Sequence, residues 1–313
     1  PPMVCVVIPT KNEASTIPDV IAGVRTSLAG TPYADPQILV VDDSADRTAE
    51  LASAAGAIVI RGGHVGLGHA MFRGLRRAGR IGCRYVVSVD GDGQADTGEI
   101  PRFLSELDAG RADLVLASRF MQRGSVRYRY PWLNRIGIRV LTLLLWMISG
   151  RRLSDSHGGI RAMRNEVVAD LTLTGTHSYV QETILDALQK GFRVVEIPSK
   201  WKPRAHGSSR VVSSIPRYAA HTLPVLFVKS GKHITWLATM GSLFIIGGVV
   251  FFFVVLLQEG FSVPGLFDRI PALLLIALLV SVGTQMFFFG LVLELLRQIG
   301  RQVDHIRSTS DSD

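Results

Sequence analysis

Cysteine is scarce: the 313-residue chain has two, Cys5 and Cys83. Two thiols cannot build a disulfide framework, and there is no CxxC pair to seat a metal. Both fall in apolar, strand-like runs, read as small buried side chains, and suit a reducing compartment. No GxGxxG follows the first apolar run, which argues against a dinucleotide oxidoreductase. Gly66-Leu67-Gly68 is not followed by Gly-Lys-Ser/Thr, so it is not a Walker phosphate loop. No basic-plus-apolar leader precedes the first run, so no signal peptide is expected. Repeats are absent, and the polar stretch Ser308–Asp313 reads as disordered.

What the chain does have is apolar weight. Hydrophobic residues make up 47% and the mean hydropathy is +0.28. The excess is local: Ile234 to Leu257 and Pro271 to Leu293 are uncharged and each long enough to cross about 30 Å of hydrocarbon. The short linker Gln258 to Arg269 makes them a hairpin, which also offers a surface for a homo-oligomer. The net charge is +8. Beside membrane segments, a basic balance points to lipid rather than to nucleic acid. Lys229, Lys232, His233, Arg297, Arg301 and Arg307 flank the hairpin. By the positive-inside rule they put both ends, and the N-terminal region, on the cytoplasmic side of the cell membrane. Pro131 to Ser149 and Val211 to Val228 are amphipathic and too short to span; both read as interfacial helices.

The N-terminal region alternates strand and helix patterns. Strands are expected at Val4–Ile8, Ile38–Val41, Ala57–Ile60, Tyr85–Val89, Leu114–Ala117 and Val194–Ile197. Helices are expected at Ser15–Ala29, Arg47–Ala55, Leu67–Ala78, Thr97–Ala109, Glu166–Leu171 and Val180–Lys190. Near-continuous apolar strands imply a mostly parallel sheet covered on both faces, a doubly wound α/β sandwich. Such sheets bind ligands at the carboxyl ends of their strands.

Those ends carry polar groups. Asp90-Gly91-Asp92-Gly93-Gln94 follows one strand. Its two carboxylates and an amide oxygen suit Mg²⁺ or Mn²⁺ shared with a diphosphate. The later ligands of an EF-hand are missing. Pro9-Thr10-Lys11-Asn12-Glu13 and Asp42-Asp43-Ser44 follow two others. They can accept hydrogen bonds from ribose or base, although one of Asp42 and Asp43 can instead cap the helix near Asp46. Arg61-Gly62-Gly63-His64-Val65-Gly66-Leu67-Gly68 enters a helix and favours anions. Arg119, Arg135, Arg139, Arg204 and Arg210 accumulate towards the membrane segments, and arginine's fork suits phosphate.

The ordered set resembles family 2 glycosyltransferases of the polyprenyl-phosphate type: dolichyl-phosphate mannose synthases and undecaprenyl- or dolichyl-phosphate glucosyltransferases. It adds Asp155-Ser156-His157-Gly158-Gly159-Ile160-Arg161, Gln181-Glu182, Gly191 to Pro198 and Arg204 to Arg210 to the segments above. The resemblance implies a Rossmann-like GT-A catalytic domain over 1–210, with 131–149 as its interfacial helix. A juxtamembrane helix over 211–233, a two-helix transmembrane hairpin over 234–297 and a cytoplasmic tail over 298–313 complete the chain. It implies inverting transfer of mannose or glucose from GDP-mannose or UDP-glucose to a polyprenyl or dolichyl monophosphate at the bilayer. Pro9, Lys11, Glu13, Asp42 and Asp90 would line the nucleoside site. Asp92 and Gln94 would hold the metal, and Arg204 and Arg210 would contact donor phosphates. Arg119 and Arg135 would bind the acceptor phosphate, with Arg139 able to exchange roles with Arg135. Asp92, Arg119, Arg135 and Arg204 form the implied catalytic set. Lys11, His64 and Arg210 depart from the family's usual Tyr, Lys and Lys. The competing reading is a family 2 transferase acting on another lipid-linked or polysaccharide acceptor, but no QxxRW motif is present.

Overall fold

The computed structural model describes residues 2–122, 124–126, 132–172, 179–203, 225–226, 229, 231–262, 265 and 268–310. It divides into two units, Pro1–Lys229 and Ser230–Asp313.

Among the described residues, the first unit is built on seven strands: β1 (Val4–Thr10), β2 (Gln37–Asp42), β3 (Ile58–Arg61), β4 (Tyr85–Val89), β5 (Leu114–Ser118), β6 (Ile160–Arg164) and β7 (Val194–Pro198). They lie in the order β3-β2-β1-β4-β6-β5-β7. All run parallel except β6, which is antiparallel to β4 and β5. The mostly parallel α/β sheet is therefore as expected, with one strand added. β6 escapes the apolar-run criterion because Arg161 and Arg164 interrupt it. Arg161 is nonetheless buried, donating to the Gly158 carbonyl and stacking over Tyr179.

All seven β1 residues are buried, because helices cover both faces. Successive side chains point to opposite faces. Val4, Val6 and Ile8 join one core with α1 (Ile17–Leu28), α2 (Thr48–Ala54) and α4 (Ile100–Asp108). Cys5 and Val7 join the other, with α3 (Leu67–Ile81), α5 (Trp132–Ser149), α6 (Asn165–Asp170), α7 (Tyr179–Gln189) and Leu226. Helix α4 starts later than its pattern suggests, since Thr97–Glu99 forms a separate 3-10 turn.

Three sequence expectations change here. Cys5 and Cys83 are not separate thiols: they form a disulfide, with Cα atoms 5.7 Å apart. Pairing of Val4 with Tyr85 brings the two positions together, and the support that free thiols lent to a reducing compartment is removed. Lys229 is not a solvated flanking charge. Its ammonium donates to the Thr172 carbonyl and lies 3.3 Å from Glu182 and 3.8 Å from Asp186. Helix α5 is not wholly interfacial either. It buries Ile138, Leu141 and Leu145, the last in the core shared with α3 and α7, while Ile136, Val140, Leu143 and Met147 stay exposed. Most of the expected juxtamembrane helix, 211–224 with 227–228, lies outside the described residues.

Among the described residues, the second unit carries the helices α8 (Lys232–Gln258) and α9 (Ile270–Ser310). Stretches of 25 and 27 residues within them are long and apolar enough to cross a membrane. At 1.5 Å per residue they reach about 38 and 40 Å. Most of their side chains face outward, unlike those of a soluble core helix. The two helices approach at backbone distance: a Cβ on Gly241 would sit 2.6 Å from the Gly283 carbonyl oxygen. Helix α9 runs on to Ser310, so the segment expected to be a disordered tail from Ser308 is helical that far.

Candidate active site

The carboxyl ends of β1, β2, β4, β5 and β7, and the start of β6, share one edge of the sheet. At the β1–β2 end, Asp42 Oδ1 accepts Thr10 Oγ1 at 2.7 Å and Ser44 Oγ at 2.5 Å. Both hydroxyls converge on one oxygen of the carboxylate. Neither Asp42 nor Asp43 caps α2. That helix start is held by Asp46, whose side chain accepts the Thr48 N–H at 3.0 Å. Asp43 instead clamps the glycine-rich loop by accepting the His64 N–H at 2.9 Å. Lys11 is exposed after β1. The Glu13 carbonyl accepts the Thr16 and Ile17 N–H groups at 3.0 Å and so starts α1.

The acidic turn sits beside these groups. Thr16 Oγ1 donates to the Gly91 carbonyl at 2.7 Å, tying the turn to the start of α1. A Cβ on Gly91 would lie 3.2 Å from the Pro9 carbonyl oxygen, so the β1 and β4 ends are in contact. Gly93 takes φ 73°, a conformation costly for other residues, and reverses the chain. Asp92 is buried, and its Oδ1 accepts the Gln94 N–H at 3.0 Å. Gln94 Nε2 donates to the Lys202 carbonyl at 3.3 Å, which leaves Oε1 as the acceptor end. Among the described residues no three His, Cys, Asp or Glu side chains form a metal-binding group. One carboxylate and one amide oxygen on a single turn still fit a hard divalent cation whose remaining ligands are diphosphate and water.

Across β6 and β5 the edge turns cationic. Arg119 is buried against Asp155, with Nε to Oδ2 at 2.7 Å and Nη2 to Oδ1 at 2.8 Å. Its guanidinium also lies 4.7 Å above the Trp201 ring. Burial raises the Asp155 pKa, but the Arg119 charge and the hydrogen bonds it receives outweigh that and hold it below the ordinary range. Glu196 of β7 braces the turn, accepting Ser154 N at 2.7 Å and Asp155 N at 2.9 Å. Burial lifts the Glu196 pKa against those bonds. His157 contacts Ser156 Oγ through Nδ1 at 2.8 Å and Gln181 Nε2 through Nε2 at 2.9 Å. Burial, then the Arg119 charge, lowers its pKa to about 3, so the imidazole is neutral. The two halves of the edge meet at Gly159. A Cβ there would lie 2.9 Å from Asp90 Oδ2 and 2.6 Å from the Trp201 ring.

Pro9, Asp42, Asp90, Asp92, Gln94 and Arg119 thus lie along one continuous edge. Arg135 and Arg139 are exposed one turn apart on α5. Arg139 lines a cavity of about 290 Å³ with Thr142, Trp146, Arg152, Leu153 and Ser154. Thr142 Oγ1 donates to Ser156 Oγ at 3.1 Å, linking α5 to the Asp155–Gly159 turn. Arg204 and Arg210 lie outside the described residues. Sequence reasoning assigned no role to Asp155, His157, Glu196 or Trp201. The first three stood in quoted motifs, but the pairing with Arg119 spans 36 residues and has no local pattern.

The sheet order and the acidic turn at its edge define a fold of the GT-A type. Residues 5–172 match the family model described as glycosyl transferase family 2. An uncharacterised glycosyltransferase of Mycobacterium tuberculosis is 32% identical over 215 residues, covering 68% of this chain and 91% of its own. Polyprenol monophosphomannose synthase of Mycolicibacterium smegmatis is 33% identical over 228 residues, covering 68% and 83%. The crystal structure of glucosyl-3-phosphoglycerate synthase from Mycobacterium tuberculosis, in complex with Mn²⁺, UDP and phosphoglyceric acid, aligns with a TM-score of 0.59. At 21% identity, over 74% of this chain and 79% of that one, the likeness is one of fold. The chain belongs to glycosyl transferase family 2.

Proposed function

We propose that the chain transfers a hexose, mannose or glucose, from GDP-mannose or UDP-glucose to a polyprenyl or dolichyl monophosphate, with inversion. The observation that carries this reading is the paired edge: an acidic turn at Asp90–Gln94 meets a buried arginine frame at Arg119–Asp155, in a chain that also has two membrane-length helices. The relationship to a polyprenol monophosphomannose synthase supports the same acceptor class.

In this reading Pro9, Lys11, Glu13, Asp42 and Asp90 bind the nucleoside, and Arg204 and Arg210 bind the donor phosphates. Asp92 and Gln94 hold Mg²⁺ or Mn²⁺, which supplies charge neutralisation at the leaving diphosphate. Arg119 and Arg135 or Arg139 receive the lipid phosphate. One of its oxygens attacks the sugar C1 from the face opposite the nucleotide. That oxygen is already anionic near neutral pH, so no general base is required. Positioning of the two anions supplies much of the acceleration. The hairpin holds the enzyme in the cell membrane with its catalytic unit on the cytoplasmic side. Kinetics with each substrate varied in turn test the division of labour. Arg135→Ala or Arg139→Ala should raise the acceptor KM more than the donor KM. Equal effects on both would remove those arginines from the acceptor site.

A further inference from the structure

Helix α3 carries Arg73, Arg76, Arg77 and Arg80 and no acidic residue. All four are exposed, and none makes an ion pair with a described residue. Arg73 reaches back over the glycine-rich loop, its Nη1 3.2 Å from where a Cβ on Gly63 would lie. Arg76 rests on the half-buried Phe72 ring at 5.4 Å. Arg76, Arg77 and Arg80 fall within about one helical turn, some 6 Å of axis. Such a row of like charges is unfavourable unless a counter-charge meets it.

The charge is distributed by layer. Helices α3 and α5 share one face of the sheet and together hold six arginines and no acid, whereas α1, α2 and α4 on the other face hold two basic and four acidic residues. The exposed acids of the arginine-bearing layer, Glu166 and Asp170, sit on α6 and pair with none of the four. The same layer holds the buried Leu226 and the caged Lys229, where the first unit ends and the chain continues towards α8. The apolar residues exposed on α5 lie on this layer too.

We infer that the α3 arginine row is a second membrane contact of the catalytic unit and docks on anionic phospholipid headgroups, beside and distinct from the acceptor-phosphate arginines of α5. The inference rests on the membrane reading of α8 and α9. The row complements an anionic leaflet in sign, and it lies on the layer from which the chain leaves for its membrane helices. Each basic residue near an anionic surface strengthens association roughly five-fold, so Arg76, Arg77 and Arg80 together contribute on the order of a hundred-fold.

The test uses the full chain in nanodiscs of phosphatidylcholine alone, or of equal parts phosphatidylcholine and phosphatidylglycerol. Phenylglyoxal modification of individual arginines is followed by mass spectrometry, with Arg102 of α4 on the opposite layer as internal reference. Docking predicts that modification of Arg76, Arg77 and Arg80 relative to Arg102 falls about five-fold in the anionic discs. Protection should be lost in 1 M NaCl, where screening acts within about 3 Å. An unchanged ratio overturns the inference while leaving the membrane reading intact. Equal protection by a single-stranded RNA oligonucleotide in phosphatidylcholine discs overturns it in favour of a nucleic-acid surface. Failure of the chain to enter discs at all, read from size-exclusion profiles, overturns the membrane reading itself.

Discussion

Replacing Asp155 with asparagine tests the frame that holds Arg119. The carboxylate is fully buried and accepts four hydrogen bonds, from Nε, Nη2 and the backbone N–H of Arg119 and from the His157 N–H. Asparagine keeps the shape but removes the charge and turns one acceptor into a donor facing Arg119. Breaking a buried ion pair from one side costs about 3–5 kcal/mol. In a unit of this size about 1 kcal/mol moves the melting midpoint by roughly 2–4 °C, so the midpoint should fall by roughly 6–20 °C. Arg119→Gln should cost a similar amount, because it leaves Asp155 buried and unpaired. The double variant should cost much less than the sum, since no charge remains buried. Thermal unfolding of the detergent-solubilised chain, followed by circular dichroism, supplies the four corners of the cycle. Costs that add to within about 0.5 kcal/mol would refute the coupling. The acid limb gives a second check. The folded Asp155 pKa lies below its ordinary value, so its stabilisation is present above about pH 3.9 and is lost as pH falls through the folded value. Asp155→Asn should lack that loss.

Other outcomes follow from the same geometry. His157 is held neutral, with its pKa lowered from 6.5 to about 3. The unfolded chain binds the extra proton first, so stability is complete above pH 6.5 and falls by about 1.4 kcal/mol per pH unit below it. His157→Gln should flatten that slope between pH 6 and pH 4 in denaturant titrations, and an unchanged slope would contradict the burial. Gly159→Ala forces a methyl against Asp90 and Trp201. It should cost about 1–3 kcal/mol of stability and reduce transfer, as melting and rate measurements can check. Arg139→Ala should raise the KM for the lipid phosphate by roughly ten- to a hundred-fold if it makes one charge-assisted contact, with little change in donor KM.

The central parallel strands β1, β4 and β5 were legible because both their faces are buried, so their sequences are nearly unbroken apolar runs. Their polar C-terminal extensions were legible for a related reason: a parallel sheet leaves only those ends for ligands. The β6 strand was hidden because Arg161 and Arg164 interrupt it: Arg161 is buried over the Tyr179 ring and the half-buried Arg164 donates to the Leu107 and Ala112 carbonyls, contacts that no local pattern reveals. The Arg119–Asp155 pair and its brace at Glu196 depend on β6 running antiparallel beside β5, so they required the topology. Asp43 looked like a cap or a ligand from its position, yet it holds a loop 21 residues away. Lys229 looked like a flanking charge because its partners, Glu182 and Asp186, sit on a different helix. The disulfide followed from strand register rather than from cysteine spacing.

The most direct measurement is transfer itself. Detergent-solubilised chain is incubated with polyprenyl phosphate, a divalent cation and radiolabelled UDP-glucose or GDP-mannose, and the organic phase is counted. Label should enter the organic phase only when the lipid phosphate is present, should disappear with excess chelator, and should be abolished by Asp92→Ala. Label that stays in the aqueous phase with either donor, or undiminished lipid labelling by Asp92→Ala, would contradict the proposed reaction.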